Sequence, residues 1–378
     1  MRVLIAPQEF KGSLGADEAA AAIASGIRAA HPDWKLDSLP MSDGGPGLLD
    51  AIRRAVKADT MATVVQDALG RKVLGRYLRL RANGDIVIEA AQANGLLHVK
   101  QTELDPLHAD TFGVGELILD AAIAEPKRMV IGVGGSATND GGAGMAAALG
   151  ARFYDMAGNE LRRGGAALAD LERIDWQLPA SLEGIEVLVA TDVSNPLCGP
   201  NGAARVYAPQ KGANPEQVDQ LEAALFRYAQ VVRRHFGVDI ANLPGAGAAG
   251  GLAAGLVAFL GAKIQSGFDL VAETTGFHER LAAADLVVTG EGRFDGQSLQ
   301  GKVTGRIIDA AREAGKPFVV FAGSGETAGE MDLRTISSLE PEPDKAMEKA
   351  DDLLKRLAKN WAETLTPDPS PRLGGGEN

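Results

Sequence analysis

The first 56 residues alternate between continuous apolar runs and segments with helical spacing. Val3 to Ala6 is an uninterrupted apolar run and predicts a buried strand, and Asp17 to Ala30 has the spacing of an amphipathic helix. Lys35 to Leu39 predicts a second strand. The loop that follows, residues 42–47, contains a proline that can begin the next helix, which continues to Val56. This order of strand, helix, strand and helix favours a parallel sheet.

Apolar and polar residues then alternate from residue 60 to residue 89, a period that predicts strands. Asn83-Gly84 is typical of a hairpin turn, which joins antiparallel strands. The predicted strands are Met61–Val65, Val73–Leu80 and Ile86–Ile88. This stretch departs from simple strand and helix alternation, so we interpret it as the entry into a second domain.

The remainder of the chain returns to strands and helices. The predicted helices are Phe112–Ala124, Gly144–Leu149, Pro215–His235, Ala248–Leu260, Gly301–Ala314 and Asp344–Thr364; the predicted strands are Met129–Val133, Val187–Ala190, Leu286–Thr289 and Phe318–Phe321. We predict an α/β fold of two α/β domains, one formed by 1–65 plus 266–365 and the other by 66–265. Residues 366–378 are rich in proline and glycine and predict a disordered tail.

Composition narrows the class of protein. The 378 residues carry 38 Lys+Arg and 50 Asp+Glu, a net charge of −12, which argues against a nucleic-acid partner. No run approaches the 18 apolar residues of a membrane span, and the N-terminus lacks the features of a signal peptide, so no membrane partner is expected. The single cysteine, Cys198, excludes an internal disulfide and a zinc cluster, and favours the reducing cytoplasm.

A glycine-rich segment, residues 130–144, is the most informative part of the chain. An apolar strand leads into backbone with few side chains and then into a helix, an arrangement that directs N–H groups at one point and binds anions. Gly134 and Gly135 supply the close backbone approach. Ser136, Thr138 and Asn139 can donate further hydrogen bonds. Asp140 could cap the helix or orient a metal-bound water. The alternative is a tight connection in which Asp140 is only a helix cap.

The same segment also matches a dinucleotide-binding pattern, Gly132-x-Gly134-x-x-Ala137, with Asp155 near the expected offset. An NAD-dependent oxidoreductase is therefore an alternative. The polar residues after Ala137 stand where a Rossmann helix should pack on its sheet, which weakens this interpretation. A second match at 245–250 follows no predicted strand and shows how readily a glycine-rich chain produces the pattern.

Polar loops follow three other predicted strands, at the edge where open α/β sheets bind ligands. The chain has no ordinary P-loop, so kinase chemistry would need loops of this kind. Their candidate residues are Lys11 and Ser13 in the first loop, Asp43, Gly44 and Gly45 in the second, and Asp192 in the third. The two aspartates are equally typical of turns in which the side chain bonds to backbone.

A fourth candidate loop, Thr289–Ser298, follows a predicted strand. Glu291 and Asp295 have the oxygen ligands that Mg²⁺ prefers, and Arg293 could hold a carboxylate or phosphate with two hydrogen bonds. An exposed loop with an internal ion pair is the alternative. Lys211 adds a cation in another loop, although a lone lysine there is more typical of a solvated surface.

Taken in order, these segments resemble the glycerate kinase type 1 family of bacteria. Seven matches run in family order to about residue 325, and one of them is fifteen residues long. They are Ile5–Ser13, Pro40–Gly45, Ile131–Met145, Thr191–Leu197, Pro209–Ala213, Pro244–Gly251 and Val288–Arg293.

The resemblance implies ATP, Mg²⁺ and transfer of the γ-phosphoryl group to a hydroxyl of D-glycerate, most often giving 2-phosphoglycerate. It also implies one flavodoxin-like domain, an inserted second domain, an active site in the cleft between them, and a homodimer as a candidate assembly. By hypothesis Lys11 and Lys211 offset phosphoryl charge and Arg293 holds the substrate carboxylate. Asp43 or Asp192 would receive the attacking hydroxyl, and Glu291 or Asp295 would bind Mg²⁺.

The chain departs from the family pattern in its first loops. Gln8-Glu9 stand where Asp-Ser is more usual, and Pro46 and Leu48 stand where an acidic residue and threonine are more usual. Losing carboxylates there could remove a metal or substrate contact. A kinase of a related small hydroxy acid and a non-catalytic binding descendant are therefore further alternatives.

Overall fold

The computed structural model describes residues 1–296, 298–299, 302–326 and 331–365. The chain divides into two compact units, which we call the first unit and the second unit. The first unit is formed by Met1–Met41 together with the chain from Gly276 onward, and the second by Ser42–Thr275. The predicted domain bounds, at 65/66 and 265/266, differ from these junctions.

The strands of the described residues are, in chain order, β1 Arg2–Pro7, β2 Lys35–Ser38, β3 Ala58–Gln66, β4 Lys72–Leu80, β5 Ile86–Glu89, β6 Arg128–Gly132, β7 Arg152–Tyr154, β8 Arg173–Asp175, β9 Glu186–Ala190, β10 Lys263–Gln265, β11 Leu286–Phe294, β12 Phe318–Gly325 and β13 Leu333–Thr335. The helices are α1 Ala16–Ala30, α2 Leu48–Ala55, α3 Ala91–Asn94, α4 Phe112–Ala122, α5 Ala143–Ala148, α6 Ala203–Tyr207, α7 Pro215–Phe236, α8 Ala248–Leu260, α9 Gly267–Thr275, α10 Phe277–Ala283, α11 Val303–Glu313, α12 Pro343–Glu348 and α13 Ala350–Glu363.

The first unit is a five-stranded parallel sheet in the order β13-β12-β11-β1-β2. Helices α1 and α13 cover one face, where Val3 and Ile5 are buried, and α11 covers the other through Ile308. The two covering helices approach closely because Gly26 has no side chain: a Cβ there would lie 2.2 Å from the Lys355 carbonyl oxygen. Helices on both faces explain why the strands are continuous apolar runs.

The second unit is a six-stranded mixed sheet in the order β10-β9-β6-β5-β4-β3. Strands β5, β6, β9 and β10 are parallel, whereas β3 and β4 join antiparallel, as the period of two and the Asn83-Gly84 turn predicted. Helices α4, α5 and α8 pack on one face around Leu117, Met145 and Leu252. This arrangement confirms the predicted α/β fold class.

The structure differs from the sequence predictions in the bounds of some elements and in elements that were not predicted. Residues 42–65 belong to the second unit because α2 packs on β5 and β3 pairs with β4. The predicted helix at Ala248 has left-handed backbone at residues 249–251 and is regular only from Leu252. The predicted helix 344–364 is two helices, α12 and α13. Strands β8, β10 and β13 and helices α3, α6, α9 and α10 were not predicted.

Three further predictions concern boundaries. Helix α2 begins at Leu48, after Gly47, and so begins later than a start at the proline would give. Gly301, the predicted start of a helix, lies outside the described residues, and α11 begins at Val303. The predicted tail, 366–378, also lies outside them. None of the described helices is both long and apolar enough to span a membrane.

Candidate active-site residues

The candidate residues of the second unit are gathered at the carboxyl ends of its parallel strands. Strand β6 ends at Gly132, and residues 133–142, the glycine-rich loop, connect it to α5. The 42–47 loop lies directly against it. A Cβ on Gly134 would lie 2.5 Å from the Gly45 Cα, and one on Gly132 would lie 2.3 Å from the Gly44 carbonyl oxygen. Only glycine allows the two backbones to approach this closely.

Asp140 is fully buried at the end of the glycine-rich loop and accepts four hydrogen bonds. The donors are the N–H groups of Thr111 (2.9 Å), Gly142 (3.1 Å) and Gly144 (2.9 Å) and the Thr111 hydroxyl (2.8 Å). Burial raises the pKa of Asp140, and these donors act in the opposite direction. Asp140 is therefore the cap of α5, so this carboxylate already occupies the helix N-terminus where an external anion was predicted.

The exposed part of the glycine-rich loop has donors to spare. Gly135 is exposed and adopts a left-handed backbone, with φ of +69°. Within the described part of the chain, the N–H groups of Gly134 and Gly135 donate to no acceptor. The loop therefore presents polar hydrogens at its tip, although the helix terminus behind it is already capped.

Lys211 lies beneath this loop and is almost completely buried. Its Nζ donates to the Ser136 hydroxyl at 2.9 Å and to the Thr138 carbonyl at 2.6 Å. Burial lowers the pKa of Lys211 to about 7, while the negative charge of Asp140 acts in the opposite direction. The expectation of a solvated surface lysine is therefore wrong: its location on a turn gave no sign that the glycine-rich loop covers it.

Two buried amides complete the interior of the loop. Asn94 donates from Nδ2 to the Thr138 hydroxyl at 3.1 Å. Asn139 is fully buried, and neither polar atom of its side chain has a partner among the described residues. The inner side of the loop is thus lined with hydrogen-bonding groups. Burial of such groups is unfavourable unless they have hydrogen-bond partners.

Asp43 and Asp192 stand near each other at the same edge of the sheet. Asp43 is exposed and accepts from the Gly45 N–H at 2.9 Å, as a turn-forming aspartate does. Asp192 accepts from the N–H groups of Gly267 (2.9 Å) and Phe268 (3.2 Å) and so caps α9. Desolvation, together with the negative charge of Asp43, raises the pKa of Asp192. The turn-forming interpretation is therefore confirmed for Asp43 and is wrong for Asp192, which bonds the backbone of a helix distant in sequence.

Gly267→Ala is expected to displace this edge. A Cβ on Gly267 would lie 1.8 Å from the Asp43 carbonyl oxygen, so the loop would have to move, and we expect the free energy of unfolding to fall by about 3 kcal/mol. Urea denaturation measures it. The control is Gly184→Ala, where nothing lies within 4 Å and only a φ of +78° is strained, costing about 1 kcal/mol. Equal losses in the two variants would contradict the close packing.

The first unit holds the remaining candidates, at the carboxyl ends of β1 and β11. Strand β11 extends to Phe294, so Glu291 and Arg293 lie in the strand and not in a loop, which corrects the prediction. Glu291 is buried, and its Oε2 accepts from Gln8 Nε2 at 3.4 Å. Its Oε1 has no partner within the described residues. Desolvation raises the pKa of Glu291, with the hydroxyl of Ser298 acting in the opposite direction.

Other candidates of the first unit are more exposed. Arg293 forms an ion pair of 3.5 Å with Asp295, the internal pair given as the alternative for this segment. Lys11 is exposed, and the Ser13 hydroxyl donates to the Phe10 carbonyl at 2.9 Å. Among the described residues no group of three or more His, Cys, Asp or Glu is arranged to hold a metal ion.

Comparison with known proteins adds an independent line of inference. A model of the glycerate kinase family matches residues 3–366. Glycerate kinase from Halalkalibacterium halodurans is 40% identical over 368 residues, 95% of this chain and 97% of that protein. Glycerate 2-kinase from Escherichia coli K12 is 40% identical over 377 residues, 97% and 98% of the two chains. The chain belongs to the glycerate kinase family.

Structure agrees with sequence for this family member. A crystal structure described as that of a glycerate kinase 2 from Salmonella typhimurium LT2 is 41% identical, has a TM-score of 0.82, and covers 96% of this chain and 98% of that chain. The resemblance inferred from seven short segments is confirmed. As a member of the glycerate kinase family, the chain is a phosphotransferase.

The fold also argues against the oxidoreductase alternative for this family member. In a dinucleotide site, the acidic residue follows the next parallel strand of the same sheet. Asp155 follows β7, which pairs with β8, antiparallel, in a separate two-stranded sheet. Asp155 is also engaged by the backbone N–H of Asn159 at 2.8 Å. The acidic residue of a dinucleotide site is therefore not at its place in the sheet that carries the glycine pattern.

Three buried polar residues close to the loops of this glycerate kinase family member were not predicted from the sequence. Glu89 ends β5, Asn94 follows it on α3, and Thr111 holds Asp140. One signal was available for Glu89: a carboxylate at the end of the apolar run Ile86–Ile88 lies at the ligand-binding edge of a parallel sheet. Asn94 and Thr111 lie in segments without such a pattern.

Proposed function

We propose that the protein transfers the γ-phosphoryl group of ATP to the 2-hydroxyl of D-glycerate with the assistance of Mg²⁺. One observation carries the proposal: the N–H groups of Gly134 and Gly135 in the glycine-rich loop have no acceptor among the residues that the structure describes, and Lys211 lies buried behind the loop. Such an arrangement favours an anion at the loop tip. The name of the Escherichia coli relative, glycerate 2-kinase, supports the choice of hydroxyl.

The glycine-rich loop would bind either a phosphate or the glycerate carboxylate. Lys211 holds the Ser136 hydroxyl and the Thr138 carbonyl from below, so it would keep the loop in shape while its charge favours an anion above. Thr138 and Asn139 would assist from the buried side, and Asp140 would act as the cap that holds the loop. Binding of this kind acts on charge that spreads over oxygen atoms during phosphoryl transfer.

Of the two aspartates proposed to receive the attacking hydroxyl, Asp43 is favoured. Both oxygens of Asp192 are engaged with the first turn of α9, whereas Asp43 uses Oδ1 for its turn. Asp192 would then hold the edge of the site and keep its negative charge close to Asp43. Gly44 and Gly45 would let the substrate approach the backbone of the 42–47 loop.

The first unit would supply the cation chemistry. Glu291 fits a divalent ion because its Oε1 is buried without a partner among the described residues, and Asp295 is the second carboxylate of this segment. Two carboxylates suffice for Mg²⁺, which keeps several waters and binds substrate phosphates. Mg²⁺ would neutralise phosphate charge when bound. Lys11, Ser13 and Arg293 would bind phosphate or carboxylate oxygens.

The function is tested by coupled ADP release with D-glycerate, ATP and Mg²⁺, followed by phosphorus NMR of the product. We expect turnover that EDTA abolishes and a product phosphorylated at the 2-hydroxyl. A panel of other small hydroxy acids is included because Gln8 takes one oxygen of Glu291, where the family more usually has an aspartate. Release of ADP with another acid alone, or none with any acid, would contradict glycerate as the substrate.

Lys11→Ala is expected to lower kcat by about 100-fold. Because Lys11 is exposed, the free energy of unfolding should change by less than about 0.5 kcal/mol. Steady-state kinetics and urea denaturation measure the two effects, and Lys355→Ala, another exposed lysine of the first unit, is the control. A loss of stability in proportion to the loss of activity would remove Lys11 from the reaction.

Two further proposals concern the cellular location and the assembly of the protein. The single cysteine supports a cytoplasmic enzyme, and Cys198 is buried, where desolvation raises its pKa to about 12 and so disfavours the reactive thiolate. A homodimer is the candidate assembly. Light scattering coupled to size exclusion chromatography measures it directly.

A further inference from the structure

Glu89 is a buried carboxylate to which the proposed mechanism gives no role. It is the last residue of β5 and is 5% exposed. Its Oε2 accepts from the N–H of Leu49 at 3.3 Å, its Oε1 accepts from Gln92 Nε2 at 3.5 Å, and the N–H of Gly47 faces the same group. Burial raises the pKa of Glu89, and the negative charge of Asp50 acts in the same direction.

Helix α2 lacks an N-cap side chain, and the contact between Leu49 and Glu89 takes its place. The N-cap of α2 is Gly47, which has a φ of +88° and no side chain to accept hydrogen bonds from the first turn. A helix normally needs such an acceptor for its free N–H groups. Glu89 supplies it from a different strand. The start of α2, and with it the end of the 42–47 loop, is therefore tied to the sheet through one carboxylate.

Glu89 is also placed beside the glycine-rich loop. It pairs in register with Gly132, the last residue of β6. Gly132 in turn faces the carbonyl oxygen of Gly44. A Cβ on Gly132 would lie 2.3 Å from that oxygen. The carboxylate thus lies at the sheet edge where the two loops with candidate substrate contacts meet. Burying a carboxylate at a strand end is a costly way to gain stability.

We propose that Glu89 is a positioning residue for phosphoryl transfer, which holds the 42–47 loop and its Asp43 in the reactive geometry by accepting the N–H groups at the start of α2. This inference rests on the proposed function. Glu89 acts through backbone and touches no reacting atom, so it is not a catalytic residue. The position of the Glu89 acceptor oxygen holds the loop, and the negative charge of the carboxylate is not required.

Two substitutions separate reach from charge. Glu89→Gln keeps an oxygen at the same distance and removes the charge, and Glu89→Asp keeps the charge and shortens the side chain by one methylene. We expect Glu89→Gln to retain kcat/KM within about threefold and Glu89→Asp to lose about 100-fold, the cost of a misplacement near 1 Å. The loss should fall mainly on kcat, since the loop is displaced and not removed.

The controls are the same two substitutions at Glu116, which accepts the N–H of Gln66 at 2.6 Å in the same unit. Glu116→Gln and Glu116→Asp should leave kcat/KM unchanged within about twofold, because that contact ties α4 to β3 and lies outside both loops. Amide hydrogen exchange of the segment 42–49, measured without substrate, provides a readout independent of activity. It should speed up in Glu89→Asp alone.

The opposite order of activities, with Glu89→Asp active and Glu89→Gln inactive, would overturn the proposal, because the charge would then act on the reaction. Unchanged exchange of segment 42–49 in Glu89→Asp would overturn it as well. If the wild-type protein gives no turnover with D-glycerate, the proposed function fails, and hydrogen exchange alone still decides whether Glu89 holds the loop.

Discussion

Lys211→Met is expected to reduce kcat/KM by about 1000-fold while leaving the protein folded. The substitution removes an ammonium group that donates to the Ser136 hydroxyl and the Thr138 carbonyl beneath the glycine-rich loop. Loss of one preorganised electrostatic contact of this kind typically costs 10²–10³-fold, and here the loop itself also loses its support. Steady-state kinetics with D-glycerate and ATP measures the effect.

Stability should respond very differently to Lys211→Met. A buried charge replaced by an apolar side chain of similar length is often neutral or stabilising, so the free energy of unfolding at pH 7 should change by less than about 2 kcal/mol. Lys100→Met, a change at an exposed lysine of the same unit, is the control for both measurements. A folded, fully active Lys211→Met protein would show that the buried ammonium is not needed.

The dependence of stability on pH gives this prediction a second readout. The folded pKa of Lys211 is about 7, below the value of 10.5 for an ordinary lysine. Between these two pH values the unfolded chain holds a proton that the folded chain has released, so wild-type stability rises with pH by about 1.4 kcal/mol per unit. That contribution is complete above pH 10.5 and is lost as the pH falls through 7. Lys211→Met lacks it, so the two stability curves should diverge between pH 7 and 9.

Asp140→Ala should cause the largest loss of stability among single substitutions in the glycine-rich loop, about 4 kcal/mol. The carboxylate accepts four hydrogen bonds, and alanine would leave three backbone N–H groups and a hydroxyl buried without an acceptor. Each buried donor left unpaired costs about 1–3 kcal/mol, and partial relaxation limits the sum. Urea denaturation with linear extrapolation measures the change.

Two controls bracket the effect of Asp140→Ala. Thr111→Val removes one of the four donors together with the hydroxyl that accepts the Met145 N–H, so its cost should be about 2 kcal/mol. Asp155→Ala removes an aspartate from an exposed turn and should cost about 1 kcal/mol or less. If all three variants lose the same amount, the network around Asp140 has no special weight in folding.

The sequence predicted most of the sheet framework, because buried parallel strands are continuous apolar runs. The run Val3–Ala6 and the strand Val187–Ala190 each lie within one residue or two of the observed β1 and β9. The missed strand β10 has only three residues, of which two are charged or polar, and it is defined by pairing with β9. Pairing between distant segments leaves no local pattern, so a short strand of this kind escapes periodicity.

The candidate site was predictable in its loops and not in its contacts. Glycines and polar residues after predicted strands indicated candidate ligand-binding loops, and the glycine-rich loop does follow the parallel strand β6. The burial of Lys211 and the capping of α9 by Asp192 depend on segments 75 residues away in each case. A glycine in such a loop indicates that its backbone lies close to another group. Which backbone it approaches, such as Gly134 against Gly45, is settled only by the fold.

The division of the chain at 41/42 and 275/276 has a consequence for synthesis on the ribosome. Strand β1 emerges before the second unit, but its pairing with the parallel neighbour β11 joins residue 3 to residue 286. Strand β1, an internal strand of the first unit, must therefore wait, apolar and without that neighbour, while the whole of residues 42–275 is translated. The second unit is continuous and can fold during that interval. Strand β1 is thus made before the second unit and completes its pairing only after it, so its apolar side chains need protection until then.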